Sequence, residues 1–194
     1  MERKVLPYSF YSRDTVEVAR DLLGKLMLFE QDGFCVGGIV VETEAYLGTE
    51  DPSCHSARGK SKRNAVMFGP SGYAYIYLIY GMHLCFNVTT GPENSPEAVL
   101  IRALEPVEGL QVMRKNRGQE NLYNLCSGPG KLVQALGLDM SLNGTSVVEG
   151  KVRFFARENQ RPEKIVTTTR IGITKAADWP LRFYLEGNRF VSKK

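Results

Sequence analysis

The chain has 194 residues, 43% of them hydrophobic, which suits one domain with a sizeable core. No apolar run approaches the ~20 residues that a membrane-spanning helix needs, and Met1-Glu2-Arg3-Lys4 leads into no signal-type segment, so a soluble intracellular protein is expected, in the cytoplasm or nucleoid if the source is bacterial. The formal charge of +4 is too small to indicate nucleic acid by itself; four widely spaced cysteines (Cys35, Cys54, Cys85, Cys126) and only two histidines argue against a zinc or redox centre, so free, mostly buried thiols, no cofactor and a metal-free chemistry are expected.

In chain order, Ser12 is placed to cap a helix whose apolar positions Val16, Ala19, Leu22 and Leu23 follow a helical period, with Gly24 at its end. Residues 25–29 and 34–44 read as two strands around Gln31-Asp32-Gly33, a hairpin signal, which puts Glu44 near a strand end where a loop can present it. Residues 53–71 are polar, glycine-containing and basic, as in a surface loop. Two more strands, 73–79 and 84–90, flank Tyr80-Gly81-Met82-His83 and predict a protruding hairpin. Residues 98–104 form an apolar strand interrupted by Arg102.

Pro106 with Leu110, Val112 and Met113 then suggests a helix, and Ser127 is placed to cap another that runs to Gly137. The run Ser127-Gly128-Pro129-Gly130-Lys131 lacks phosphate-loop spacing and reads as a helix start. Strands at 146–156, 165–173 and 181–185 complete the pattern, and no repeat or linker interrupts it. The expected architecture is one α/β domain of α+β type over residues 1–194: a curved, mostly antiparallel sheet with flanking helices and the protruding hairpin.

The chemistry-bearing residues concentrate between Val40 and Asn87. Glu42, Glu44, Tyr46 and His55 precede Tyr73, Tyr75, Tyr77 and Tyr80, which is a carboxylate with stacking surfaces, the equipment for handling a flat base. Arg58, Lys60, Lys62 and Arg63 lie between them and can hold phosphates, although each basic cluster taken alone reads as a solvated surface. Arg102, inside an apolar run, needs a carboxylate, phosphate or ordered water, Glu105 being one candidate. Glu42 is expected on the opposite side of its strand from Glu44. These residues alone leave open a non-catalytic stacking module and an enzyme acting on free nucleosides.

Several blocks resemble one family in order and in register. They are Val41-Glu42-Thr43-Glu44-Ala45-Tyr46-Leu47-Gly48 with Glu50-Asp51 and His55-Ser56, Tyr77-Leu78-Ile79-Tyr80-Gly81-Met82 with Cys85 and Asn87, and Leu100-Ile101-Arg102-Ala103-Leu104-Glu105-Pro106. Leu125-Cys126-Ser127-Gly128-Pro129 with Lys131-Leu132, and Pro180-Leu181-Arg182-Phe183-Tyr184, extend the match over nearly the whole chain. The family is the alkyladenine (3-methyladenine) DNA glycosylases of base-excision repair.

That resemblance implies a monofunctional hydrolase, without lyase activity, acting as a monomer on double-stranded DNA that contains damaged purines. It implies Glu44 as general base, Arg102 holding the attacking water, and Ile171 contacting that water through its backbone carbonyl. It also implies Tyr46, His55 and Tyr77 as stacking walls for a flipped base, and Asn87 crowding the purine edge against normal guanine. Tyr80 matches the wedge that fills the vacated stack, with Met82 close by. His83 departs from the pattern, because the mammalian members carry tyrosine there; DNA contact beside the wedge is expected to differ.

Overall fold

The computed structural model describes residues 3–31, 33–79, 81–92, 94–157 and 164–193. Tyr80, the expected wedge, and Asp32, in the first hairpin signal, lie outside the described residues. Two short helices, α1 (Tyr8–Tyr11) and α2 (Thr15–Asp21), open the fold. Asp14, not Ser12, caps α2: its carboxylate accepts from the backbone N–H groups of Val16 and Glu17 at 2.9 and 3.0 Å. Ser12 instead closes α1, its N–H donating to the Tyr8 carbonyl. Of the expected apolar stripe Ala19, Leu22 and Leu23 are buried, whereas Val16 is only half-buried against the core and Val18, outside the expected set, is fully buried.

Eight strands form one sheet: β1 (Leu26–Gln31), β2 (Phe34–Tyr46), β3 (Ala74–Ile79), β4 (His83–Thr90), β5 (Glu97–Glu108), β6 (Val152–Phe155), β7 (Ile165–Thr168) and β8 (Arg182–Leu185). Every pairing is antiparallel, in the order β3-β4-β5-β2-β1-β6, and β8 joins β2 to β7. The 13-residue β2 is the spine. Along one edge it pairs with β5; along the other it pairs first with β1, up to Ile39, and then with β8 at Glu42–Glu44.

Register slips mark this spine. Val41 is extra in β2 between Val40↔Leu104 and Glu42↔Ala103, and Arg102 is extra in β5 between the partners of Glu42 and Thr43. Two bulges on facing strands bend the ladder locally and re-aim the side chains beside them. Gly37 and Gly38 allow the neighbouring strands to close in, since a Cβ there would stand 2.0 Å from the Met27 carbonyl oxygen and 2.2 Å from that of Glu105.

Pro106 belongs to β5 rather than to a helix. It lies opposite Gly38 beside a further register slip, where the missing N–H costs no regular ladder bond. Helix α3 (Leu110–Arg117) follows from Gly109, and α4 (Pro129–Leu136) runs to Gly137 as expected. Ser127 does not cap α4: Gly128 is the N-cap residue, Pro129 starts the helix, and Ser127 instead bridges to Ala103. The last strands are shorter than the sequence suggests, β6 and β7 having four residues each. One face of the sheet carries the main core, with Ile76, Phe86, Val99 and Ile101 packed among Val18, Leu22, Leu132 and Phe154. Among the described residues no helix is long and apolar enough to cross a membrane.

Candidate active site

The other face of the sheet carries the site. Directly opposed residues share a face, so the register aligns Tyr75, Asn87, Leu100, Glu44 and Arg182 in one row across β3, β4, β5, β2 and β8. Residues two positions along point the same way, which adds Tyr77, Cys85, Arg102, Tyr46 and Glu42. The expectation that Glu42 faces away from Glu44 was therefore wrong: both carboxylates meet one guanidinium. Arg102 Nε donates to Glu42 Oε1 at 3.1 Å, and Arg102 Nη1 stands 3.2 Å from Glu44 Oε1. Glu105, the partner weighed for Arg102, instead accepts from Asn188.

Glu44 lies inside β2 and has no solvent exposure, rather than being presented by a loop. Its Oε1 accepts the backbone N–H of Ile171 at 2.8 Å, and its Oε2 accepts the Tyr46 hydroxyl at 2.9 Å. Burial pushes its carboxyl above the ordinary range; Arg102, Ile171 and Tyr46 oppose that shift, and Glu42 adds to it. Ile171 thus touches the site through its amide hydrogen, held by the carboxylate. Tyr46, Arg102 and Ile171, which contact Glu44, line a cavity of about 210 Å³; Glu44 itself is not among the lining residues and lies behind these three. That volume is below the ~300–1,000 Å³ of drug-sized ligand sites and offers room for a single ring system.

Tyr46, His55, Tyr77 and Asn87 all line this cavity, so the four base-binding expectations converge. His55 is exposed at the mouth, yet its Nδ1 is 2.8 Å from the Tyr75 hydroxyl and its ring meets Tyr77 edge to face at 4.4 Å. Burial, then the positive Arg63, lowers its pKa and favours neutral imidazole. Burial raises the Tyr75 phenol to about 12, and Tyr46 and Tyr77 are raised by the same cause. Asn87 uses its amide to donate to the Tyr75 carbonyl at 3.0 Å while it forms part of the wall. Beneath lies a second small core of Cys54, Met67, Tyr75 and Ala98.

Met82, His83, Arg58, Lys60, Lys62 and Arg63 are not among the residues that line the cavity. Met82 is 71% exposed at the hairpin end, and His83 is exposed beside Pro129 and Gly130, where a groove of about 420 Å³ also has Arg117 and Lys131. Arg58, Lys60, Lys62 and Arg63 are all exposed. Arg58 and Arg63 line a polar groove of about 670 Å³ together with Lys175 and His55, while Lys60 and Lys62 lie outside it.

Sequence reasoning missed the device that builds the outer wall. Arg170 and Asp51, both with fully buried side chains, form a two-point ion pair, and Arg170 also donates to the Ala45 carbonyl at 3.1 Å and lies 4.7 Å over the Tyr46 ring. Burial alone would raise the Asp51 carboxyl; hydrogen bonds from Arg170, Ser53 and Leu47 hold it below the ordinary range. With the Ser53 hydroxyl donating to the Lys175 carbonyl, this pair pins residues 171–173 against the cavity. The usable signal was a charge beside apolar residues, Arg170 before Ile171.

Residues 9–189 match the model of the methylpurine-DNA glycosylase family. Similar relatives bear the name of candidate 3-methyladenine DNA glycosylases. That of Methanoculleus marisnigri is 56% identical over 192 residues, covering 97% of this chain and 99% of the relative. That of Carboxydothermus hydrogenoformans is 51% identical, covering 98% and 100%, and that of Desulfitobacterium hafniense is 46% identical with the same coverage. With almost the full length matched in both directions, the chain belongs to the methylpurine-DNA glycosylase family, DNA glycosylases of base repair.

Proposed function

We propose that this protein is a monofunctional glycosylase that flips alkylated or deaminated purines out of double-stranded DNA and hydrolyses the bond between base and sugar, leaving an abasic site. The observation that carries the reading is Glu44, a buried carboxylate with a raised pKa whose partners Tyr46, Arg102 and Ile171 line a ring-sized aromatic cavity. Oε1 is occupied by the Ile171 N–H and the Arg102 charge, while Oε2 has the Tyr46 hydroxyl and one acceptor position left over. Oε2 is thus the oxygen that takes the proton of the attacking water as the sugar gains oxocarbenium character. Arg102, at the cavity wall, orients that water, and the ionised Glu44 stabilises the developing positive charge.

Tyr46, Tyr77 and neutral His55 present faces and edges of rings to the base, which suits the cationic N-alkylpurines. Such a base already carries the charge that makes it a good leaving group, so no acid is required on it. Asn87, with its amide tied to the Tyr75 carbonyl, is a fixed obstacle on the purine edge that opposes guanine. The exposed Arg58, Arg63 and Lys175 and the His83 groove hold backbone phosphates on the two sides of the cavity. Among the described residues no lysine lines the cavity, which supports hydrolysis without a Schiff base.

The test is incubation with duplexes containing hypoxanthine or 3-methyladenine, followed by electrophoresis with and without hot alkali. Strand breaks only after alkali are expected. Breaks without alkali would contradict the absence of lyase activity, and intact DNA in both arms would contradict the glycosylase reading.

A further inference from the structure

Glu42, the second carboxylate on Arg102, has no task in the reaction as described. It is fully buried and heavily bonded. Its Oε1 accepts from Arg102 Nε at 3.1 Å, Arg182 Nε at 2.8 Å and the Ser192 hydroxyl at 2.9 Å, and its Oε2 accepts from the Ser192 N–H at 2.6 Å. Arg182 also donates to the Lys193 carbonyl, so one guanidinium joins this carboxylate to the end of the described chain. Ser192 and Lys193 lie beyond the stretch matched to the family, residues 9–189. A carboxylate with four donors has one orientation. Because a guanidinium is a rigid planar fork, fixing Arg102 Nε on Glu42 also fixes the Nη1 that faces Glu44.

We propose that Glu42, locked by Arg182 and Ser192, is a positioning residue that sets where Arg102 stands beside Glu44, and that the segment around Ser192 is thereby part of the site. The proposal takes its kinetic consequence from the reading of Glu44 as the base. The groups around Glu44 are Glu42 and Tyr46 on β2, Arg102 on β5, Cys85 on β4, Tyr77 on β3, Arg182 on β8, and Arg170 in the segment that carries Ile171. Among these Glu42 is the other anion at Arg102, and it competes with Glu44 for that cation.

Two substitutions then act with opposite sign. Glu42→Gln removes a repelling charge and leaves Arg102 with Glu44 as its anionic partner, so Glu44 gives up its proton more readily. Ser192→Ala removes one donor from Glu42, leaves its charge less compensated, and makes Glu44 hold its proton longer. A general packing role for Glu42 gives no such opposition.

The experiment is a ¹³C-carboxyl NMR titration of Glu44 in the full chain and in both variants, with the resonance assigned by its loss in Glu44→Gln. It is run beside single-turnover excision from a hypoxanthine duplex. The midpoint is expected to fall in Glu42→Gln and to rise in Ser192→Ala. Excision by Glu42→Gln at neutral pH should drop on the order of 10- to 100-fold, the scale of a misplaced catalytic group. Unmoved midpoints, or shifts of the same sign, overturn the proposal. If Glu42→Gln does not fold, the Ser192→Ala titration decides alone, and no rise overturns it. If the unsubstituted chain excises nothing while the midpoints move apart, the glycosylase reading fails and the positioning role stands.

Discussion

Arg170 grips both carboxylate oxygens of Asp51 with neither side chain exposed, and the residue after this arginine donates its N–H to Glu44. The pair fixes the loop that finishes the site. Breaking it by Asp51→Asn leaves a buried guanidinium short of charge and should cost about 3–5 kcal/mol by urea unfolding. The Asp51 carboxyl is held below its unfolded value of about 3.9. The stability it contributes is therefore fully present above that pH and is lost as pH falls through the lower folded value. Asp51→Asn should flatten this acid dependence, and an unchanged acid profile would contradict the role given to the pair.

The Tyr46 hydroxyl is one of the groups that help Glu44 ionise. Tyr46→Phe keeps the ring over Arg170 and removes that donor, so Glu44 should stay protonated to higher pH. On the proposed mechanism excision needs the ionised form, and the acid limb of the single-turnover rate should shift upward. A hydrogen bond to a charged group is worth about 1.5–3 kcal/mol, so the loss on that limb should be roughly 10- to 100-fold. A limb that stays in place would show that the hydroxyl has no part in the titration of Glu44.

Burial is the leading cause of the raised Glu44 pKa, and this has a consequence for stability. Between the unfolded value of about 4.3 and the higher folded value, the native state binds the proton more tightly. Stability contributed by Glu44 is therefore fully present below about pH 4.3 and declines as pH rises through the folded value. Glu44→Gln should remove that decline, visible as a smaller fall in Tm across the acid-to-neutral range than in the unsubstituted chain. An identical Tm profile would place the folded pKa of Glu44 in the ordinary range.

Among the described residues no group of three or more His, Cys, Asp or Glu side chains could hold a metal ion. Treatment with EDTA should leave the single-turnover excision rate within about twofold. Loss of activity that a divalent ion restores would contradict a reaction run by Glu44 and Arg102 alone.

Most strands were legible because apolar alternation and turn residues carry local information, as in β3 and β4 either side of Gly81. Arg102 was legible as a charge in an apolar run that had to find a partner. Its partners were not, since they depend on two bulges, on β8 taking over one edge of β2, and on Ser192 arriving 150 residues later. Residues 169–173 read as strand from their branched side chains. The ladder ends at Thr168 because Arg170 turns inward to Asp51 and the Ile171 N–H goes to Glu44. The helix start at residue 15 was misassigned to Ser12 because Ser and Asp are both good caps, and only the backbone path decides between them.

The central claim is that Glu44 takes the proton of the attacking water. Its most direct test is single-turnover excision of hypoxanthine by Glu44→Gln, measured beside the affinity for the same duplex. The amide keeps the shape and can still accept from Tyr46 or Ile171, but it cannot act as a base. Excision should fall by ~100- to 10,000-fold while affinity for the lesion duplex stays within a few-fold. Near-normal excision by the glutamine variant would contradict the account and move the catalytic role away from Glu44.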